Sequence, residues 1–177
     1  GPVLPALASQ DVPAPITKQN LSGVRDFDFL TGAWRVHSRR LKERLAGSRD
    51  WEEFDGTIRS TKLMNGQANV DDTEFLTPGG IYRGVAPRAY DPATGLWAIW
   101  WIDGRNPHGA LDPPVKGRFV DGVGTFYADD TLRGQPIKVR FVWSHITRDS
   151  AQWEQAYSGD GGKTWAKLAQ MLSDPAV

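Results

Sequence analysis

The sequence predicts an all-β fold, an antiparallel meander of about ten strands closed into a barrel, and three observations carry that prediction. Turn signals recur at short intervals: Thr31-Gly32, Ala46-Gly47-Ser48, Asn65-Gly66, Pro78-Gly79-Gly80, Asp91-Pro92-Ala93-Thr94-Gly95, Asp103-Gly104, Asp121-Gly122, Arg133-Gly134 and Asp160-Gly161-Gly162. The segments between them are short and rich in Trp, Phe, Tyr, Val, Ile and Thr, residues that suit a pleated, half-buried surface. No segment sustains a 3.6-residue apolar period long enough for a packed helix, and only residues 23–30 suit a helical turn.

Taken in order, the strands are expected near 33–42, 50–63, 68–76, 81–90, 95–103, 115–121, 123–129, 137–147, 151–158 and 164–172. Residues 1–22 hold four prolines and no apolar period, so they read as an extended tail or strap, with the barrel domain over 23–177. Gly1-Pro2 has the look of a protease-cleavage remnant. Ala6-Leu7-Ala8 followed by a polar, Pro-rich opening reads as the start of an exported, periplasmic chain, against the plainer reading of an arbitrary N-terminus.

Composition narrows the function. Lys+Arg and Asp+Glu both number 21 in 177 residues, so no basic field argues for a nucleic-acid partner. Without cysteine there is no disulfide, thiolate metal site or thiol nucleophile. No apolar run approaches the ~20 residues of a helical membrane span.

The stretch Leu96–Asp103, LWAIWWID, places Trp97 and Trp101 on one parity and Trp100 on the other. In a closed barrel the inward parity lines a cavity, while outward indoles need cover. The strap, the loop 104–114 or a homodimer interface would supply it.

Several segments together carry a family likeness. Phe27-Asp28-Phe29-Leu30-Thr31-Gly32-Ala33-Trp34-Arg35-Val36 contains a Gly-x-Trp start. Tyr90-Asp91-Pro92-Ala93-Thr94-Gly95-Leu96-Trp97, Gly117-Arg118-Phe119-Val120-Asp121-Gly122 and Trp153-Glu154-Gln155-Ala156-Tyr157-Ser158 follow in order. The set resembles a large bacterial group of lipocalin-like (calycin) barrels, most of unknown function, over about residues 22–165. The resemblance implies that Trp34 closes one end of the core. The chain departs from the group at Ala166-Lys167-Leu168-Ala169-Gln170-Met171-Leu172, where the usual bulky segment ending in arginine is missing, which leaves Arg39 or Arg40 to stand in.

Ser158–Trp165, SGDGGKTW, fits the Asp-box pattern of sialidase-type propellers, but one copy in a chain this short reads as a hairpin turn capped by Asp160. His37, His108 and His145 lack metal-type spacing. A haem-ligating histidine is weighed and set aside, and no cofactor or metal is expected. His145 follows Trp143 by two residues and is expected to share a face with Phe141 and Trp143, where burial would suit a neutral general base; a hydrogen-bonded core histidine is the plainer reading.

Strand carboxylates form the complementary set: Glu53, Asp55, Asp72, Glu74, Asp103 and Glu154. Alternation over 153–157 allows either Trp153, Gln155 and Tyr157 inward, or Glu154 inward with Arg140 or Arg118 as its partner. Asp103-Gly104-Arg105-Asn106-Pro107-His108-Gly109 is either an exposed turn or a gate at the cavity mouth. There is no G-x-S-x-G elbow and no phosphate-binding glycine fingerprint.

The first expectation is a cavity that binds a small, largely apolar or aromatic molecule, with Trp97, Trp101, Trp143, Phe141, Arg40, Tyr157 and Asp103 as ligand contacts. The alternative is a cofactor-independent isomerase, cyclase, lyase or hydrolase with His145 and Glu154 as acid and base. An interaction module anchored by exposed tryptophans is the third.

Overall fold

The computed structural model describes residues 19–43 and 49–176. Its strands are β1 Gly32–Leu41, β2 Trp51–Leu63, β3 Ala68–Thr77, β4 Gly80–Asp91, β5 Leu96–Ile99, β6 Ile102–Asp103, β7 Val115–Val120, β8 Val123–Leu132, β9 Gln135–Ser144, β10 Ala151–Ser158 and β11 Ala166–Pro175. Every pairing is antiparallel. The order β3-β2-β1-β11-β10-β9-β8-β7-β5-β4-β6, together with the β3–β4 pairing, closes the sheet on itself.

β5 and β6 are two halves of one stave, so the barrel has ten. Arg88 pairs with Ile99 and Val85 with Ile102, which keeps the register constant across the break. Between these pairs the Trp100 N–H donates to the Pro87 carbonyl at 3.0 Å. Proline has no N–H to return, so the ladder is interrupted there although the chain runs on in register. β7 pairs with this stave only over Trp97–Ile99.

Alternation sets the interior. Trp34, Val36 and Ser38 of β1, Phe54 and Ile58 of β2, Ile137, Val139 and Trp143 of β9 are buried while their neighbours in sequence are more exposed. One end is shut by the segment before β1. Residues 21–27 turn into a 3₁₀ helix, Asp28–Leu30, which pushes Phe27 and Leu30 into the barrel at 2% exposure each. Phe27 sits at the centre of an aromatic cluster, with ring centroids of Trp97 at 5.1 Å, Phe119 at 4.9 Å and Phe126 at 5.6 Å. The first two pairs meet edge to face and the third is stacked, arrangements that add to the burial of the rings themselves.

Backbone acceptors tie the plug down. The indole N–H of Trp34 donates to the Leu30 carbonyl at 2.7 Å, that of Trp97 to Gly23 at 2.9 Å, and the Tyr90 hydroxyl to Asn20 at 2.6 Å.

The expected strands all appear, with shifted ends. β8 runs on to Leu132, β11 occupies 166–175, and β9 stops at Ser144 instead of reaching Thr147. The proposed strap, 1–22, falls almost entirely outside the described residues. No helix among the described residues is long and apolar enough to cross a membrane.

Candidate functional site

Above the plug the barrel holds a cavity of about 590 Å³. Its wall is aromatic: Phe54, Phe75, Trp101, Phe141, Trp143 and Trp153 all line it, with Ile58, Ile99, Val139 and Met171 between them. Phe54 and Phe75 lie 5.4 Å apart, Phe141 and Trp153 5.1 Å, each edge to face. Trp101 has room because its diagonal neighbour on β4 is glycine: a Cβ on Gly84 would stand 2.2 Å from the Trp101 Cζ2. Only a residue without a side chain lets the indole lie against β4.

The floor carries a buried ion pair. Arg88 on β4 donates through Nη1 and Nη2 to the two carboxylate oxygens of Asp71 on β3, at 2.8 and 2.6 Å, and through Nη1 to Asn69 at 3.0 Å. The two charged side chains are 3% and 4% exposed. The guanidinium also lies 4.9 Å from the Phe27 ring centre, so it joins plug to cavity.

The mouth carries two more pairs. Arg40, at the far end of β1, donates to Glu52 through Nε at 2.9 Å and also through Nη2, and to the Tyr82 hydroxyl at 3.0 Å. Arg105 makes a two-pronged contact with Asp103, at 3.0 and 2.8 Å, and stacks 3.9 Å over the Tyr82 ring. Tyr82 therefore lies between two guanidinium groups. Burial outweighs their attraction for phenolate and pushes its hydroxyl pKa up. The Arg105 hydrogen bonds hold the Asp103 carboxyl down at about 2. Beyond Ile99 the stave has no β7 partner, and the loop 104–114 lines the cavity there through Asn106, Leu111 and Pro113.

Of the residues singled out from sequence, Trp101, Trp143, Phe141, Arg40, Tyr157 and Asp103 line this cavity. Trp97 does not: at 1% exposure it belongs to the plug beneath the floor. His145 is corrected more strongly. β9 ends one residue before it, its φ is +51°, and its exposed ring meets the Ser144 hydroxyl, at 3.0 Å, in the turn outside the closed end. Glu154 points outward, paired with Lys167 at 2.7 Å and Gln152 at 2.8 Å; its neighbours Trp153, Gln155 and Tyr157 take the inward parity. Arg140 stacks on Trp165 instead of meeting Glu154. Arg39, one candidate for the missing terminal arginine, stacks 4.8 Å over Trp51 at the mouth end of β1.

Two other polar clusters lie away from the cavity. On the outer face His37 meets Asp55 at 2.8 Å and Glu53 at 3.4 Å, and the Asp55 hydrogen bond leads in raising its pKa. In the SGDGGKTW turn the Asp160 carboxylate accepts from the Thr164 hydroxyl, the Thr164 N–H and the Ser158 hydroxyl, which lowers its pKa to about 2, while Gly161 and Gly162 take φ of +76° and +94°. That turn is a built hairpin cap.

No known family model and no curated protein matches the chain. Among solved structures, the S-type phycobiliprotein lyase CPES from Guillardia theta superposes with a TM-score of 0.56 at 11% identity, over 88% of this chain and 93% of that one. The chain folds as a lipocalin-like barrel. A second structure, EF1p2_mFAP2b bound to DFHBI, aligns over 86% of this chain and 98% of that chain at 10% identity, with a TM-score of 0.47. At such identities the likeness is one of fold alone, and the lipocalin-like barrel's own residues must carry any functional reading.

Proposed function

We propose that the barrel binds a small, largely apolar or aromatic molecule, in keeping with the bacterial lipocalin-like group its motifs resemble. One observation carries the reading: the cavity of about 590 Å³ has a wall rich in aromatic side chains, with a buried ion pair at its floor and two arginine–carboxylate pairs at its mouth. That is the ordinary build of a small-molecule site, in which apolar surface supplies affinity and a few placed polar groups fix orientation. Trp101, Trp143, Phe141 and Tyr157 would contact the body of the ligand, and Arg40 and Asp103 its outer end.

Since a lyase occupies the same fold, fold does not separate binding from chemistry; the lining does. None of the three histidines lines the cavity; of its four aspartates Asp71 and Asp103 are engaged by arginines, Asp130 accepts the N–H of Thr131 at 2.7 Å, and Asp112 is exposed at the mouth loop. A general base would have to be free of such a partner to take a proton. The arrangement favours binding without turnover.

Native mass spectrometry of the protein purified from its own organism, before and after denaturing extraction, tests this. A retained small molecule released on unfolding is the expected result. A chain that carries nothing, and whose tryptophan fluorescence no aromatic probe quenches, would overturn it.

A further inference from the structure

At the floor and the mouth the arginines are already engaged: Arg88 by Asp71, Arg105 by Asp103, and Arg40 by Glu52 and the Tyr82 hydroxyl. Gln155 is not. It sits on the inward parity of β10, between Trp153 and Tyr157, and like them it lines the cavity. Its carboxamide has no hydrogen-bond partner among the described residues. The side chain is half-buried and its amide is not sealed off; with Glu154 on the outer face of the strand, the surface that Gln155 keeps opens on the cavity. Ser38 and Thr73 also line the cavity, but both are buried and each offers a single hydroxyl.

The neighbours of Gln155 leave it room. Across the ladders it faces Phe141 on β9 and Ala169 on β11, and Ala169 in turn faces Arg40 on β1. Alanine puts only a methyl where a larger side chain would cover the amide. The β10–β11 pairing also slips at this point: Gln155 faces Ala169 but Ala156 faces Lys167, so Leu168 is an extra residue on β11. Bulges bend a strand and re-aim its side chains, and they are over-represented beside functional sites and at barrel rims.

The chemistry of the amide decides what it takes. A carboxamide offers an acceptor oxygen and a donor N–H side by side, so its full complement is an edge that carries one donor and one acceptor side by side. A ring amide, with N–H and C=O held cis, has that edge, whereas a ketone or an ester fills only half of it. A ligand carboxylate would satisfy the N–H alone. It would also set a second oxygen against the amide carbonyl and bring a charge into an aromatic wall whose arginines are already matched.

We propose that Gln155 sets the specificity of the cavity, pairing its carboxamide edge to edge with a neutral cyclic amide on a flat, otherwise aromatic ligand. The inference rests on the cavity being a ligand site and names the chemical class that the site takes.

Three flat two-ring probes test it: 2-quinolinone, a ring amide; coumarin, in which a ring oxygen replaces the N–H at the same shape; and naphthalene, which has no polar edge. Each is titrated by tryptophan quenching into the whole protein and into its Gln155→Leu and Gln155→Met variants. 2-Quinolinone should bind the wild-type protein about ten-fold more tightly than coumarin, the worth of one or two well-made hydrogen bonds. In both variants that preference should collapse while naphthalene affinity holds, since the apolar wall remains and only the amide is lost. Retained naphthalene binding also reports that the variant barrel is intact.

Equal binding of 2-quinolinone and coumarin by the wild-type protein overturns the amide specificity and leaves the apolar cavity standing. A preference that survives undiminished in both variants overturns the role of Gln155. Failure of all three probes overturns the cavity reading, and the specificity with it.

Discussion

The two ends of this barrel are built from the same parts, an arginine, a carboxylate and aromatic rings, and they behave differently because one is dry and the other is wet. At the closed end Arg88 and Asp71 are 3% and 4% exposed, packed between Phe27 and Trp143. At the open end Arg105 and Asp103 are 54% and 25% exposed, and Arg40 and Glu52 27% and 19%. A salt bridge at the surface is worth little, because water screens it and two side chains must be held still; a buried pair makes each partner indispensable to the other. The closed end spends its polar groups on fixing a structure, and the open end keeps its own adjustable.

The contrast is most directly broken at the floor. Asp71→Ala leaves the Arg88 cation buried and uncompensated, and should cost about 3–5 kcal/mol in urea unfolding. A loss under ~1 kcal/mol would mean that water reaches the floor and that the two ends do not differ in kind. A middle-sized effect is expected where wall and mouth meet. In Gly84→Ala the new methyl would stand 2.2 Å from Trp101, so the indole must swing away from β4, at about 1–3 kcal/mol in thermal unfolding and with a changed affinity for any cavity ligand.

The smallest effect belongs to the mouth. Arg105→Gln should change stability at neutral pH by less than ~1 kcal/mol. Its signature is in acid. Asp103 titrates at about 2 in the folded protein, against 3.8 as its ordinary value, so the pair's stabilisation is present above 3.8 and is lost as the pH falls through about 2. The substitution should move the Asp103 titration, followed by carboxyl NMR shifts, back up toward 3.8. An unmoved titration would show that Arg105 is not what holds the carboxylate ionised.

Much of this architecture is legible in the chain. Turn dipeptides such as Asn65-Gly66 and Arg133-Gly134 mark the hairpins, and the absence of a helical period leaves a meander as the only economical arrangement. What the alternation of residues could not reveal is where a strand ends. His145 keeps the parity of Trp143 on paper, but β9 stops at Ser144, and a residue past the end of a strand has no face.

The floor pair was harder to see because it lies on two strands. Asp72 and Glu74 attract attention on β3, yet Asp72 is exposed and Glu74 pairs with Arg83 at 2.9 Å, while Asp71 is the carboxylate that turns in. A readable sign does exist. Arg88 is in phase with Tyr82, Gly84, Ala86 and Tyr90, and Asp71 with Asn69, Thr73 and Phe75, so an arginine and an aspartate each ride on a parity otherwise occupied by aromatic and small residues. Matching the two needs the β3–β4 register, which the sequence suggests through Pro78-Gly79-Gly80 without fixing it. Trp97 illustrates the remaining limit: alternation sets it with Trp101 against Trp100 without saying which face turns in, and its depth along the axis, plug or cavity, depends on how far Phe27 reaches in.

The pairing of β1 with β11 has a consequence for how the molecule comes to exist at all. Every other ladder joins staves that follow one another along the chain and can form by local encounter, whereas Trp34 must meet Pro175 across nearly the whole domain. Until that seam shuts, the folding chain is an open ribbon with two bare edges, the form in which β-proteins most readily stick to one another. The outward positions along this seam are Arg35, His37 and Arg39 on β1 and Gln170, Leu172 and Asp174 on β11, all polar except Leu172, and Arg35 meets Asp174 at 3.1 Å once they join. Charges that contribute little to the finished barrel thus guard the unfinished one, repelling strangers until the two ends of the ribbon find each other.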